Sequence, residues 1–273
     1  MLPRIGFLIA FLAVVPASAQ TPRTARSAHT TIEILAASAT VEPGTDTWIG
    51  VRFLLEPGWH IYWRNPGDSG APPILLWTTP AGVTIGDVEW PAPERIPYGS
   101  LVNYGYHGDV ILPMRLTSTA RLAGPITLAA DWMVCRDVCV RAKARVALTF
   151  PVAPSAAVSD WAARLAEARR RVPVALPKGW RAAATAGVGR IDIRVEAPAA
   201  LASALFFPID EHVLDVSAAP VVTPSARGVR LRLATSEQLA TMPTRLRGVL
   251  VVPDGAAYEL DMPMAAQGAA PGK

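Results

Sequence analysis

The sequence lacks long apolar runs, basic stripes and cysteine in any number. After residue 20 no stretch approaches the roughly 18 uninterrupted apolar residues of a membrane-spanning helix, so no membrane span is expected in the mature chain. The formal charge is only +4, and its carriers are nearly all arginines, scattered apart from Arg169-Arg170-Arg171. Without a basic stripe interleaved with aromatics, nucleic acid is not an expected partner. Charged residues make up 18% against 51% apolar, which excludes a disordered chain and leaves enough apolar surface for a core. The 26 prolines and 20 glycines are spread singly, as turns between strands require, and stay below low-complexity levels. Asp68, Asp109 and Asp137 are scattered rather than paired as hydrolase carboxylates. No Ser-His-Asp set stands at a nucleophile elbow, no glycine loop cradles phosphate, and no cofactor is expected.

What is present begins with an address. Residues 1–20 read MLPRIGFLIAFLAVVPASAQ. Arg4 supplies a positive start, Ile5 to Val15 an apolar run too short to span a bilayer, and Ala17-Ser18-Ala19 the small-x-small pattern of a cleavage site. A signal peptide over 1–19 is expected, with export to the periplasm in a Gram-negative source. Export favours disulfides, and the two cysteines, Cys135 and Cys139, stand in one motif with no thiol left over.

A length of 273 residues suggests one or two domains. TTIEILAASATVE (30–42) and TWIGVRFLLE (47–56) read as strands around Pro43-Gly44, followed by an aromatic, turn-rich stretch at 57–73. ILLWTTP, VTIGDVEWP, VILPMRLT, ITLAADWMV and RVALTFPV continue the series at sandwich-like spacing. SDWAARLAEARRR (159–171) is the one good helix: Ser159 or Asp160 caps it, Trp161, Leu165 and Ala168 share a face, and arginines fill the last turn. A second strand series follows: GRIDIRVEAP, ALFFPI, VLDVSAAP, GVRLRLAT, LRGVLVVP and AYELDMPM. The expected fold is all-β: a sandwich over 20–155, a helical connector over 156–174, a smaller sandwich over 175–265 and a disordered tail over 266–273.

The chemistry-bearing segment is Asp131-Trp132-Met133-Val134-Cys135-Arg136-Asp137-Val138-Cys139-Val140. In one continuous strand the two cysteines would lie about 13 Å apart, beyond the roughly 7 Å a disulfide allows. A hairpin with Arg136-Asp137-Val138 as its loop would place them opposite each other, and one helical turn would nearly do so; the β-like flanks favour the hairpin. Such a bond closes a very short loop and stabilises little, about 2 kcal/mol by loop entropy. Arg136, Arg141 and Lys143 would favour a thiolate, while Asp137 opposes it. From spacing alone a structural staple, an exchanging pair and a metal-binding pair all remain open. His60, His107, Met114 and Met133 keep a Cu(I) reading among the alternatives. Trp59, His60, Tyr62 and Trp63, with Tyr98, Tyr104 and Tyr106, form a candidate aromatic cap, and Trp132 a core residue beside the hairpin.

GWHIYWRNPGDSGAPP, YGYHGDVILP and the Trp-x-x-Cys-x-x-x-Cys segment running into ALTFPV resemble the periplasmic N-terminal domain of the thiol:disulfide interchange protein DsbD, in particular the variant in the suppressor-of-copper-sensitivity protein ScsB. The resemblance implies immunoglobulin-like β-sandwiches and makes Cys135 and Cys139 the catalytic, disulfide-forming pair. It implies an activity of protein-disulfide reduction, with neither cofactor nor metal. The pair would relay electrons between a membrane-embedded thiol reductase domain and periplasmic thioredoxin-like proteins. It also implies a shielding segment, for which residues 96–106 are the candidate, with Tyr98, Tyr104, Tyr106 and Trp132 as shielding aromatics. Two departures stand out. Arg141 occupies a position that is Pro in many relatives, and the chain carries no thioredoxin-like Cys-x-x-Cys, so the electron-supplying parts are expected to be separate proteins or to be missing. The competing readings are a periplasmic Cu(I)-binding, copper-tolerance protein and a structural sandwich with an inert disulfide.

Overall fold

A computed structural model describes residues 21–120, 122, 124–150 and 158–266. The expected signal peptide and the tail beyond residue 266 lie outside these residues.

The first eleven strands are β1 (Thr24–Ser27), β2 (Thr30–Ala36), β3 (Thr45–Leu55), β4 (His60–Gly67), β5 (Ile74–Thr78), β6 (Val83–Ile85), β7 (Glu94–Tyr98), β8 (Leu101–His107), β9 (Asp109–Ser118), β10 (Ile126–Cys135) and β11 (Cys139–Leu148). They form two sheets, ordered β1-β2-β3-β9-β6 and β11-β10-β4-β8-β7, with β5 also paired to β10. The period of two in the sequence decides which side faces inward. On β10, Ile126, Leu128, Ala130, Trp132 and Val134 are buried, and they meet Ile32, Ile34, Ile49, Val51, Phe53 and Leu112 of the opposite sheet. Phe53 packs edge-on against Trp132 at 5.5 Å, and each such side chain contributes about 1.5–3 kcal/mol on burial.

The helix α1 spans Ala162–Arg170, shorter at its start than the sequence suggests. Ser159 does not cap it from the N-cap position, which Trp161 holds. Ser159 Oγ instead accepts the Trp161 N–H and donates to the Ala36 carbonyl, tying the helix entrance to β2. Leu165 and Ala168 bury against Leu35 and Ile111. Gly50 makes the close approach possible, since a Cβ there would lie 2.6 Å from Leu165 Cδ2. Asp109 accepts from Arg52 Nε and Nη2, each at 2.8 Å, and also pairs with Arg164 of the helix.

The remaining strands are β12 (Val174–Ala175), β13 (Arg181–Gly187), β14 (Arg190–Glu196), β15 (Leu205–Pro208), β16 (Val221–Ser225), β17 (Gly228–Ala234), β18 (Arg245–Val251) and β19 (Ala257–Ala266). Their order is β15-β18-β19-β13-β14-β17-β16, with β12 beside β19. β19 pairs with β18 along Ala257–Pro263 and passes to β13 at Met264, so one strand serves both layers around a core of Ile191, Ile193, Val229, Leu231, Leu250 and Leu260. The VLDVSAAP segment, read as a strand, makes only an isolated bridge from Leu214 to Thr235. Asp215 Oδ1 accepts the backbone N–H groups of Ser217 and Ala218, a local turn that competes with strand pairing. The alanine-rich β13 gives no strand signal; pairing to neighbours on both sides holds it extended. The whole is the expected all-β fold of two sandwiches joined by a short helix.

The sandwiches share a seam. Phe207 of β15 joins the first core, 5.0 Å from Tyr104 and 6.3 Å from Trp63 by ring centroids. Asn65 Nδ2 donates to the carbonyls of Pro208 and Asp210 at 2.9 and 3.3 Å, and Arg95 Nη2 donates to that of Val216 at 2.7 Å.

Candidate redox site

β10 and β11 pair in unbroken register from Ile126–Leu148 to Cys135–Cys139, so the hairpin brings the two cysteines opposite each other at its neck. Their Cα atoms are 4.2 Å apart and the sulfurs are bonded. Arg136, Asp137 and Val138 form the loop, closed by Arg136 N–H donating to the Val138 carbonyl at 3.2 Å. The alternative of one helical turn is thereby excluded. By strand parity Cys135 lies on the face of β10 turned away from the sandwich core, yet it is fully buried, whereas Cys139 is exposed. The disulfide therefore joins a buried residue to an exposed one.

β4 does the hiding. His60 stands directly across from Cys135, and Tyr62, two residues on, shares its face. Tyr62 Oη donates to Cys135 Sγ at 2.9 Å and lies 3.5 Å from Cys139 Sγ. Burial pushes the Tyr62 phenol up to about 12, which keeps it a protonated donor. The ring is covered in turn by the loop after β4. Gly70, with φ of 89°, sits so close that a Cβ would meet Tyr62 ring carbons at 2.1–2.5 Å. Ser69 holds that loop by donating to Asn103 Oδ1 of β8 at 2.9 Å.

His60 is 2% exposed and its ring meets Tyr62, His107 and Tyr98 at 5.3, 5.6 and 6.4 Å. Its Nε2 has no hydrogen-bond partner among the described residues. Burial, with His107 nearby, lowers its pKa to about 4, so the imidazole is neutral at physiological pH.

The aromatics named from the sequence separate by strand parity. Tyr98 lies at the tip of the β7–β8 hairpin, and its hydroxyl donates to the Asp137 carbonyl at 3.0 Å, bridging to the cysteine loop. Tyr104 and Tyr106 face the opposite side of β8. Tyr104 packs on Trp63 and Phe207, while Tyr106 donates to the Pro91 carbonyl at 2.7 Å. Trp132 lies in the core with its Nε1 donating to Thr30 Oγ1 at 3.3 Å. Residues 96–106 are thus most of a paired hairpin, with Tyr98 alone of the four touching the cysteine loop. Trp59 stacks on His29 at 3.8 Å and lies under Arg136. Tyr62 and His60, two members of the candidate aromatic cap, are the ones beside Cys135. The sequence did not show the strand face they share, because the 57–73 stretch reads as turns.

The cations after Cys139 are engaged elsewhere. Arg141 donates twice to Asp131, at 2.8 and 2.7 Å, and Lys143 pairs with the same carboxylate at 3.1 Å. These bonds hold Asp131 down to about 2. Arg136 pairs with Asp137 at 2.9 Å. Met114 lies in the core on β9, away from the pair, and no group of three His, Cys, Asp or Glu among the described residues is arranged to hold a metal.

Fold and site together define a class: a β protein of two sandwiches that presents one short-loop disulfide at a hairpin neck, half hidden and half exposed. Residues 32–151 match the family of the N-terminal domain of the thiol:disulfide interchange protein DsbD, in agreement with the resemblance drawn from the sequence. The match includes the disulfide hairpin and ends before the helix. The crystal structure of the N-terminal periplasmic domain of ScsB from Proteus mirabilis has a similar fold, with a TM-score of 0.70 at 17% identity over 87% of this chain and 94% of that one. No curated protein matches the chain.

Proposed function

We propose that this chain is a periplasmic thiol–disulfide exchange protein. Cys135 and Cys139 relay electrons from a membrane-embedded thiol reductase to thioredoxin-like partners, without cofactor or metal. The asymmetry of the two cysteines carries this reading: a staple needs neither an exposed cysteine nor a buried hydroxyl aimed at the bond.

In the reducing direction the exposed Cys139 attacks as thiolate. Its sulfur bonds to one sulfur of the partner's disulfide, and the electron pair of the broken bond leaves on the other. Cys135 then attacks Cys139 Sγ, the internal disulfide re-forms, and the partner departs as a dithiol. Two electrons have passed to the partner. Tyr62 Oη, the donor nearest Cys135, steadies that sulfur whenever it is anionic. Tyr98, at the end of its hairpin, shields the loop until a partner displaces it.

Trapping tests the proposal. Cys135→Ala, which retains the exposed cysteine, is expected to accumulate a mixed disulfide with a thioredoxin-like protein in cells, and Cys139→Ala far less. Absence of any adduct with both variants, together with a pair that stays oxidised below about −300 mV in a glutathione buffer, would make the bond an inert staple.

A further inference from the structure

The mechanism leaves one buried group unused. His60 is the cross-strand neighbour of Cys135, the two Cβ atoms of such a pair being about 4.5–5.5 Å apart on the same face. It is 2% exposed, and its Nε2 is among the few buried side-chain atoms of the described residues without a hydrogen-bond partner. A buried polar nitrogen left unpaired costs free energy, and a redox or catalytic role is one of the reasons native structures keep one. Cys135 poses the matching problem. Its sulfur is sealed from water, so the thiol that must become a nucleophile in the second step has no solvent base within reach.

We propose that His60 is the general base that takes the proton from the Cys135 thiol when the mixed disulfide on Cys139 is resolved; this rests on the exchange reading above. The Cys135 S–H bond breaks and the proton passes to the neutral imidazole. The Cys135 thiolate bonds to Cys139 Sγ as the Cys139–partner bond breaks, and the electron pair leaves on the partner's sulfur. The imidazolium then returns its proton to that thiolate or to water. Cys135 and Cys139 are oxidised and the partner is reduced. The surroundings suit a base that is charged only transiently. The groups facing His60 are Tyr62 on its own strand, Tyr98 from β7 and His107 from β8, with Glu94 3.2 Å beyond His107 Nδ1 and the Arg136–Asp137 pair in the loop under Tyr98. No carboxylate among the described residues contacts the His60 ring to hold it permanently as imidazolium. A general base of this kind is worth roughly 10²–10⁴-fold in rate.

The test uses the full chain and glutathione disulfide as the probe. Stopped-flow fluorescence separates mixed-disulfide formation at Cys139, followed alone in Cys135→Ala, from ring closure. His60→Gln is expected to leave the first step within about twofold, to slow ring closure by about 100-fold, and to make the closure rate rise in proportion to hydroxide where the native rate is flatter. Equal closure rates and pH profiles in native and His60→Gln proteins would overturn the role of His60 while leaving exchange intact; failure of the native chain to react would remove both. A second measurement needs no variant. In the native protein the ring-closure rate is expected to stay nearly flat over the pH range in which mixed-disulfide formation at the exposed Cys139 rises with hydroxide, and a closure rate that rises in step with it would count against the proposal.

Discussion

At the scale of single residues, the site depends on what faces a buried sulfur. A thiolate at Cys135 has one hydroxyl aimed at it, Tyr62 Oη at 2.9 Å. Hydrogen bonds to charged groups contribute about 1.5–3 kcal/mol, equivalent to one or two pKa units. Tyr62→Phe is therefore expected to raise the Cys135 thiol pKa by one to two units, read from thiolate absorbance in the reduced protein. His60 makes a separate, thermodynamic prediction. Unfolded, it takes a proton near the ordinary value of 6.5, whereas folded it resists until about 4. Between those values the unfolded state binds more protons, so stability is full above pH 6.5 and falls as pH drops toward 4. Denaturant midpoints across that window check it, and His60→Gln is expected to flatten the slope.

At the scale of elements, the hairpin and the loop after β4 divide the labour. The hairpin register fixes where the sulfurs are, and any two-residue slip would separate them. The loop decides whether Tyr62 stays over them. Gly70 is the hinge of that cover, because its positive φ and its contact with the Tyr62 ring both exclude a side chain. Gly70→Ala is expected to destabilise the protein by about 1–3 kcal/mol and to speed reduction of the disulfide by dithiothreitol, as the loop and ring move off the sulfurs. Denaturation and quenched-reduction kinetics measure the two effects. The elements were unequally legible. β10 and β11 announced themselves by alternation, and the geometry of a four-residue spacing pointed to their turn. β4 did not, since His60–Gly67 is rich in aromatics, Asn and Pro and is buried almost throughout, erasing the two-period that marks a half-exposed strand.

At the scale of the whole molecule, the second sandwich braces the sheet that carries the site. Phe207 packs against Trp63, the next core-facing residue after Tyr62 on β4, and Asn65 of the same strand hydrogen-bonds to the second sandwich. The two units are expected to unfold in one calorimetric transition. Phe207→Ala, which removes 3–5 kcal/mol of packing by the usual cost of such truncations, is expected to split that transition in two and lower the first midpoint. Nothing in ALFFPI distinguished this inter-sandwich residue from an ordinary core strand, because a seam and a core demand the same apolar side chain.

Local chemistry was determined by the sequence alone. Apolar alternation set the strand-rich architecture, the helix face carrying Leu165 and Ala168 set its docking side, and the Cys-x-x-x-Cys spacing with β flanks set a hairpin. These depend on near neighbours along the chain, whose geometry is fixed by backbone periodicity. The tertiary structure decided everything that depends on distant strands meeting. It placed Tyr62 and His60, more than seventy residues before the cysteines, beside the buried sulfur. It turned Tyr104 and Tyr106 to the opposite face, and it drew Arg141 and Lys143 to Asp131 instead of the thiol. A one-residue change of parity moves a side chain from one face of a sheet to the other, and only the pairing of β4 with β10 and β8 settles which face that is.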